Sequence, residues 1–231
     1  MKKKTRLVSM LLIALFTASF LTGCGTKKIT NEESAKMFFN VAAHQDISEL
    51  NNLLGKDSSN FDSLVADQID DAKETVNKML SSSGMNLTDE EIDNFVDSIL
   101  NAMKQQECKN VTVRSDNGDT VDLTFEITYV DVMSLCTTVS KDLQEQFKQK
   151  LADRRSTNTS YKELKAQFVK DYFATITDKL NNYGVGTETK TFNYTFEKSE
   201  YKTGFMSKVE LWAPKDSEKF GKKVGSTCVG F

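Results

Sequence analysis

Few side chains in this chain are placed to do chemistry: four cysteines, one histidine and 33 acidic residues among 231. Cys24 is set apart by what precedes it. Lys2, Lys3, Lys4 and Arg6 open the chain, Leu7–Leu21 is a largely apolar run, and the small pair Thr22-Gly23 leads into the cysteine. The basic start stays on the cytoplasmic side while the apolar run enters the membrane. That run is shorter than the roughly 20 residues a permanent spanning helix needs. Thr22-Gly23 puts two small side chains directly before Cys24. The other cysteines, Cys108, Cys136 and Cys228, are odd in number and irregularly spaced, with no CxxC pair for zinc or redox chemistry. Cys136 falls on an apolar helical stripe and is expected to pack, while Cys108 and Cys228 could pair outside the cytoplasm.

The remaining chemical candidates have ordinary explanations. His44 is the one histidine, so a Ser-His-Asp triad would have to use it, yet it sits near a helix end where a capping or surface role is expected. HExxH, a GxxxxGK[ST] loop and GxGxxG are absent, and Gly184-Val185-Gly186 follows a helix, as a helix stop does. Asp122, Glu126 and Glu210 would support glycoside hydrolysis only if two of them faced each other about 5–9 Å apart. Thr112, Thr124, Thr128, Thr191 and Thr195 could line a polar surface but also simply favour strands. Trp212 and Tyr201 could form a sugar-stacking platform, against the commoner packing role. Nothing specifies a catalytic residue, a cofactor or a metal site.

The elements that must position these groups are legible in the spacing. Thr30 with Glu33, Thr88 with Glu91 and Ser160 with Glu163 form three capping boxes. Ala35, Phe38, Phe39 and Ala42 give the first helix a buried face, and a short leucine-rich piece follows, stopped by Gly55. Residues 57–82 keep the helical period, as do Ile92, Phe95, Val96, Ile99 and Met103. Acidic residues on these two helices, Asp62 to Asp97, read as a solvated exterior because no oxygen-ligand loop accompanies them.

The period then becomes two. Val121, Leu123, Phe125, Ile127 and Tyr129 alternate with polar residues, with a partner strand beginning at Val111 and Val113. Pairing Val113 with Leu123 calls for a loop of three residues, 117–119, or a longer one of the same parity. Helices return over Val132–Leu151 and Leu164–Tyr183, linked by the polar stretch Arg154–Thr159. A second hairpin runs through Phe192, Tyr194 and Phe196 to Val209 and Leu211, ended by Pro214. The expected fold is α+β: a curved, cone-like antiparallel sheet of about four strands covered by amphipathic helices.

Residues Leu21-Thr22-Gly23-Cys24, with the basic start and apolar run, resemble the signal peptide of a bacterial lipoprotein. The resemblance implies that the Cys24 sulfur receives a diacylglyceryl group and becomes the first residue after cleavage, and two acyl chains anchor stably where one is marginal. Residues 1–23 are then the signal peptide, 24–30 a lipid-anchored tether, 31–213 one domain (helical over 31–106, sheet and helices over 107–213), and 214–231 a loosely ordered tail. Loss of 23 residues leaves 208; loss of their four basic residues leaves 26 Lys and Arg against 33 acids, a charge of −7. That acidity argues against a nucleic-acid partner. The segment Glu33–Leu54 and the strand ending Val209-Glu210-Leu211-Trp212 also resemble the nuclear-transport-factor-two-like superfamily, and within it uncharacterised lipoproteins of Gram-positive bacteria. The resemblance implies a cone-shaped sheet and transfers no functional residue. The expected role is a non-catalytic module on the outer face of the cytoplasmic membrane. It would be anchored to the bilayer through Cys24 and hold an unidentified small molecule or protein. The alternatives are an envelope assembly protein and a carboxylate-dependent glycan hydrolase.

Overall fold

The computed structural model describes residues 26–55, 58, 61, 73–74, 76–78, 87–157, 160–203 and 208–230. The export segment, Cys24, most of the 57–82 helix and residues 204–207 of the second hairpin lie outside the described residues.

Along the chain come β1 (Thr26–Lys28), α1 (Asn31–His44), α2 (Ser48–Leu54), α3 (Asp89–Lys104), β2 (Cys108–Asp116), β3 (Thr120–Thr128), α4 (Val132–Thr157), α5 (Tyr161–Asn181), β4 (Thr189–Lys202), β5 (Lys208–Pro214) and α6 (Ser217–Cys228). The expected curved sheet under helices is present, as a curled half-barrel of five strands in the order β1-β5-β4-β3-β2. All three capping boxes form: the side chain of Thr30, Thr88 or Ser160 accepts from the backbone three residues on, and the glutamate reaches back.

On β3, Val121, Leu123, Phe125 and Ile127 are fully buried. Phe125 pairs with Phe192 of β4, and their rings stack 4.7 Å apart. α1 and α6 close over this face, where Phe38 meets Phe196 and Phe220 meets Phe125, Tyr194 and Phe196. Five phenylalanines (38, 39, 125, 196 and 220) are among the largest fully buried side chains. Burying each fully is worth on the order of 2 kcal/mol in transfer free energy, so this aromatic layer is a substantial part of the hydrophobic stabilisation. α5 packs between α3 and α4 to one side.

Four expectations are corrected. The 24–30 tether is a strand from Thr26: β1 pairs in parallel with β5, Thr26 opposite Lys208 and Lys28 opposite Glu210. Three polar residues carry no alternation, so only the free edge of β5 reveals the strand. Where β1 leaves that edge, Ser34 of α1 takes over, its hydroxyl accepting the Trp212 N–H at 3.1 Å. The expected loose tail, 214–231, is largely α6, capped by Asp216 and burying Phe220, Val224 and Cys228. Gly221 is buried within it, and a Cβ on Gly225 would stand 3.7 Å from the Met103 sulfur, an ordinary contact. The Arg154–Thr159 link is helical as far as Thr157. Val113 does pair with Leu123, but by another route. Asn117 bonds Thr120 across the turn, and a bulge at Arg114 restores the parity.

Candidate functional site

Three helices end close together. The His44 ring, in the last turn of α1, meets the Gln106 carbonyl just beyond α3 through Nε2 at 2.7 Å. The Gln106 side chain, fully buried, donates to Ala102 O at 2.7 Å and to Gly184 O, beyond α5, at 3.3 Å. Its oxygen accepts from the Thr128 hydroxyl at 3.0 Å and from the Gly186 N–H at 3.0 Å. One carboxamide thus ties α3, the end of β3 and the 184–186 loop, and its own carbonyl ties α1. Gly186 is required there, since a Cβ would lie 2.2 Å from the Tyr129 carbonyl oxygen.

Above this clasp, Asn101, Lys104 and Gln105 from α3 face Asn181, Asn182 and Gly184 from α5 across an open hollow of about 410 Å³. Four of these six residues are carboxamides, each both donor and acceptor. Asn101 Nδ2 reaches Asn181 Oδ1 at 3.4 Å, and Asn182 turns back to Asp178. Helix C-termini carry partial negative charge, which Lys104 and Lys179 in the last turns offset. The carboxamides that dominate the lining of the hollow suit a hydrogen-bonding ligand.

The residues singled out by sequence are not brought together. Asp122 and Glu126 lie four residues apart on one strand, about 13 Å at strand rise and beyond the separation of a glycosidase pair. Glu210 is two strands away on β5, bonded to Lys198 at 3.0 Å and near Lys28. Asp122 accepts from Thr195 and Ser115, which hold its carboxyl below the usual range. Glu126 accepts from Thr189. Glu49 alone among the described carboxylates is pushed up, by partial burial first and then by Asp46. Tyr201 packs inward on Phe61 while Trp212 pairs with Lys198 on the opposite face, so no two-ring platform exists. Of the threonines, Thr124 donates to Asn193 and Thr195 to Asp122, and Thr128 is buried in the clasp. His44 points its Nε2 at a carbonyl and its ring at Phe39, an anchoring role. Gly184 follows α5 with φ +29°, as the expected helix stop.

Cys108, Cys136 and Cys228 are free thiols. Burial pushes Cys228 up to about 12, with the nearby Cys108 adding to the rise, and pushes Cys108 to about 11. Cys136 meets the Tyr172 hydroxyl between α4 and α5, and burial raises both. Among the described residues no three His, Cys, Asp or Glu side chains are grouped to hold a metal ion. Among the described residues no helix is long and apolar enough to cross a membrane. The hollow itself escaped sequence reasoning. Its residues are polar helix ends with no spacing to mark them, and only the tertiary fold sets them opposite one another.

No family model matches the chain, and no curated protein matches it by sequence. Among solved structures it is similar to a candidate lipoprotein, ycdA, from Bacillus subtilis subsp. subtilis str. 168. The two share 16% identity and a TM-score of 0.52 over 87% of this chain and 57% of the other. At that identity the likeness is one of fold, and this chain spans little more than half the length of its neighbour.

Proposed function

We propose that this chain is a lipoprotein of the bacterial cytoplasmic membrane, held on the outer face through Cys24, whose folded domain is a non-catalytic binding module. The carrying observation is the sequence Leu21-Thr22-Gly23-Cys24 behind a basic start and a short apolar run. The fold shared with a candidate lipoprotein supports it. So does the beginning of the sheet at Thr26, directly after the anchoring cysteine. The curled sheet under helices is also the scaffold expected of nuclear-transport-factor-two-like lipoproteins. The amide-lined hollow between α3 and α5 is the ligand site in this reading. Its volume lies at the lower end of the range for small-molecule pockets, and its lining favours a hydrogen-bonding ligand. The separated carboxylates speak for binding over glycan hydrolysis.

Fractionation of cells producing the wild type and Cys24→Ala tests the anchor. The wild type is expected in the membrane fraction, with an intact mass that starts at Cys24 and carries two or more acyl chains. The variant is expected in the medium, or unprocessed. A Cys24→Ala protein of mature size that stayed in the membrane fraction would refute the lipid anchor.

A further inference from the structure

We infer that the end of the sheet where β1, β5 and β4 meet is a membrane-contact surface that rests against anionic lipid headgroups. The inference builds on lipid attachment at Cys24 and concerns how the domain then sits. Only Gly25 separates that cysteine from β1, which begins at Thr26. Two residue steps span at most about 7 Å, so the anchor cannot hold this end away from the bilayer. β1 is no free arm: Thr26, Lys27 and Lys28 are in register with Lys208, Val209 and Glu210, and the Ile29 N–H continues the ladder to Glu210 O at 2.8 Å.

The residues that follow from that register carry a net positive charge. Lys208 stands opposite Thr26 on one side and opposite Lys202 on the other, so the start of β5 and the end of β4 lie beside the exit toward Cys24. The residues sharing their face are Lys28, Lys198, Lys202 and Lys208 against Glu200 and Glu210, an excess of two positive charges. Glu200 and Glu210 are register partners, a repulsive pair, and lysines flank both: Lys208 reaches Glu200 at 2.6 Å and Lys198 reaches Glu210 at 3.0 Å. The chain released by cleavage carries −7, so this local sign runs against the whole. A net-acidic protein anchored to a negative surface is pushed away by its bulk charge, and a basic patch beside the anchor is what allows close seating within a Debye length.

The test uses full-length lipidated protein in vesicles whose headgroups carry a nitroxide quencher. A small fluorophore is introduced by an unnatural amino acid at Thr203, next to Lys202, or at Asn182, in the hollow. In vesicles about one-third anionic, quenching at Thr203 is expected to exceed that at Asn182 by about threefold. The excess should shrink in purely zwitterionic vesicles and in the variant Lys202→Glu/Lys208→Gln, with an unchanged urea-unfolding midpoint reporting an intact fold. Equal quenching at the two positions overturns the contact. So does an excess at Thr203 that responds neither to anionic lipid nor to the charge change. Failure to float with the vesicles instead sinks the lipid anchor, a separate result.

Discussion

Cys228 and Gln106 show how single side chains fix this molecule. Cys228 is a thiol with no exposure, and burial holds its ionisation near 12 against an ordinary value of 9.0. Between those values the folded chain keeps a proton that the unfolded chain has lost. Stability from this group is complete below about pH 9 and declines above it, by about 1.4 kcal/mol per pH unit until near pH 12. Urea unfolding at pH 9, 10 and 11 should therefore show a steeper fall for wild type than for Cys228→Ala; parallel slopes would mean that the thiol ionises freely in the fold. Gln106 acts at the same scale through hydrogen bonds: four partners surround its carboxamide, and the buried groups it satisfies would otherwise each cost about 1–3 kcal/mol. Sequence marks neither residue: the spacing puts Cys228 in a loose tail, as a candidate partner of Cys108. Cys24 carries its context in the preceding 23 residues, whereas nothing around Gln106 distinguishes it from the exposed Gln105 beside it.

Elements were legible where a capping box or a clear period marked them, and illegible where both were absent or masked. The three Thr/Ser–Glu boxes each open a helix at the expected residue, because the spacing is the hydrogen-bond geometry itself. β3 was equally plain, since its alternation is the inward and outward pleat. α6 had a stripe at Phe220, Val224 and Cys228, but Gly221 and Gly225 lower intrinsic helix propensity by about 1 kcal/mol each and masked it. Gly221 is buried in the helix, and a Cβ on Gly225 would meet the Met103 sulfur at an ordinary contact distance. The helix should accordingly be part of the cooperative core. Phe220 is fully buried among Phe125, Phe192, Tyr194 and Phe196, so Phe220→Ala is expected to cost about 3–5 kcal/mol in chemical denaturation. A loss under 1 kcal/mol would show α6 to be a detachable appendage.

At the scale of the whole molecule, β1, which follows the proposed anchor, and the hollow occupy opposite ends of one sheet. β4 links them: Thr189 pairs with Thr128, the clasp threonine, and Lys202 pairs with Lys208 beside the exit toward Cys24. Its 14 residues extend about 43 Å at ordinary strand rise, a length the curl of the sheet shortens. A domain seated by its β1–β5–β4 end would turn the α3–α5 hollow away from the bilayer, toward whatever diffuses outside. Neither β1 as a strand nor the hollow as a site was visible in the sequence, because β1 has no alternation and the hollow residues are ordinary helix ends. On the proposed reading the separation would make anchoring and ligand holding independent, since substitutions more than about 10 Å apart with no shared partners act additively. Asn101→Leu/Asn181→Leu changes two exposed side chains whose mutual contact is a long 3.4 Å, so stability should move by no more than about 0.5 kcal/mol. Membrane fractionation should be unchanged, while a small-molecule adduct carried by wild-type protein from its own membranes should vanish from the native mass spectrum. An adduct that survived both leucines would remove the hollow as the ligand site without touching the anchor. A variant lost from the membrane fraction would show that the two ends are coupled through β4.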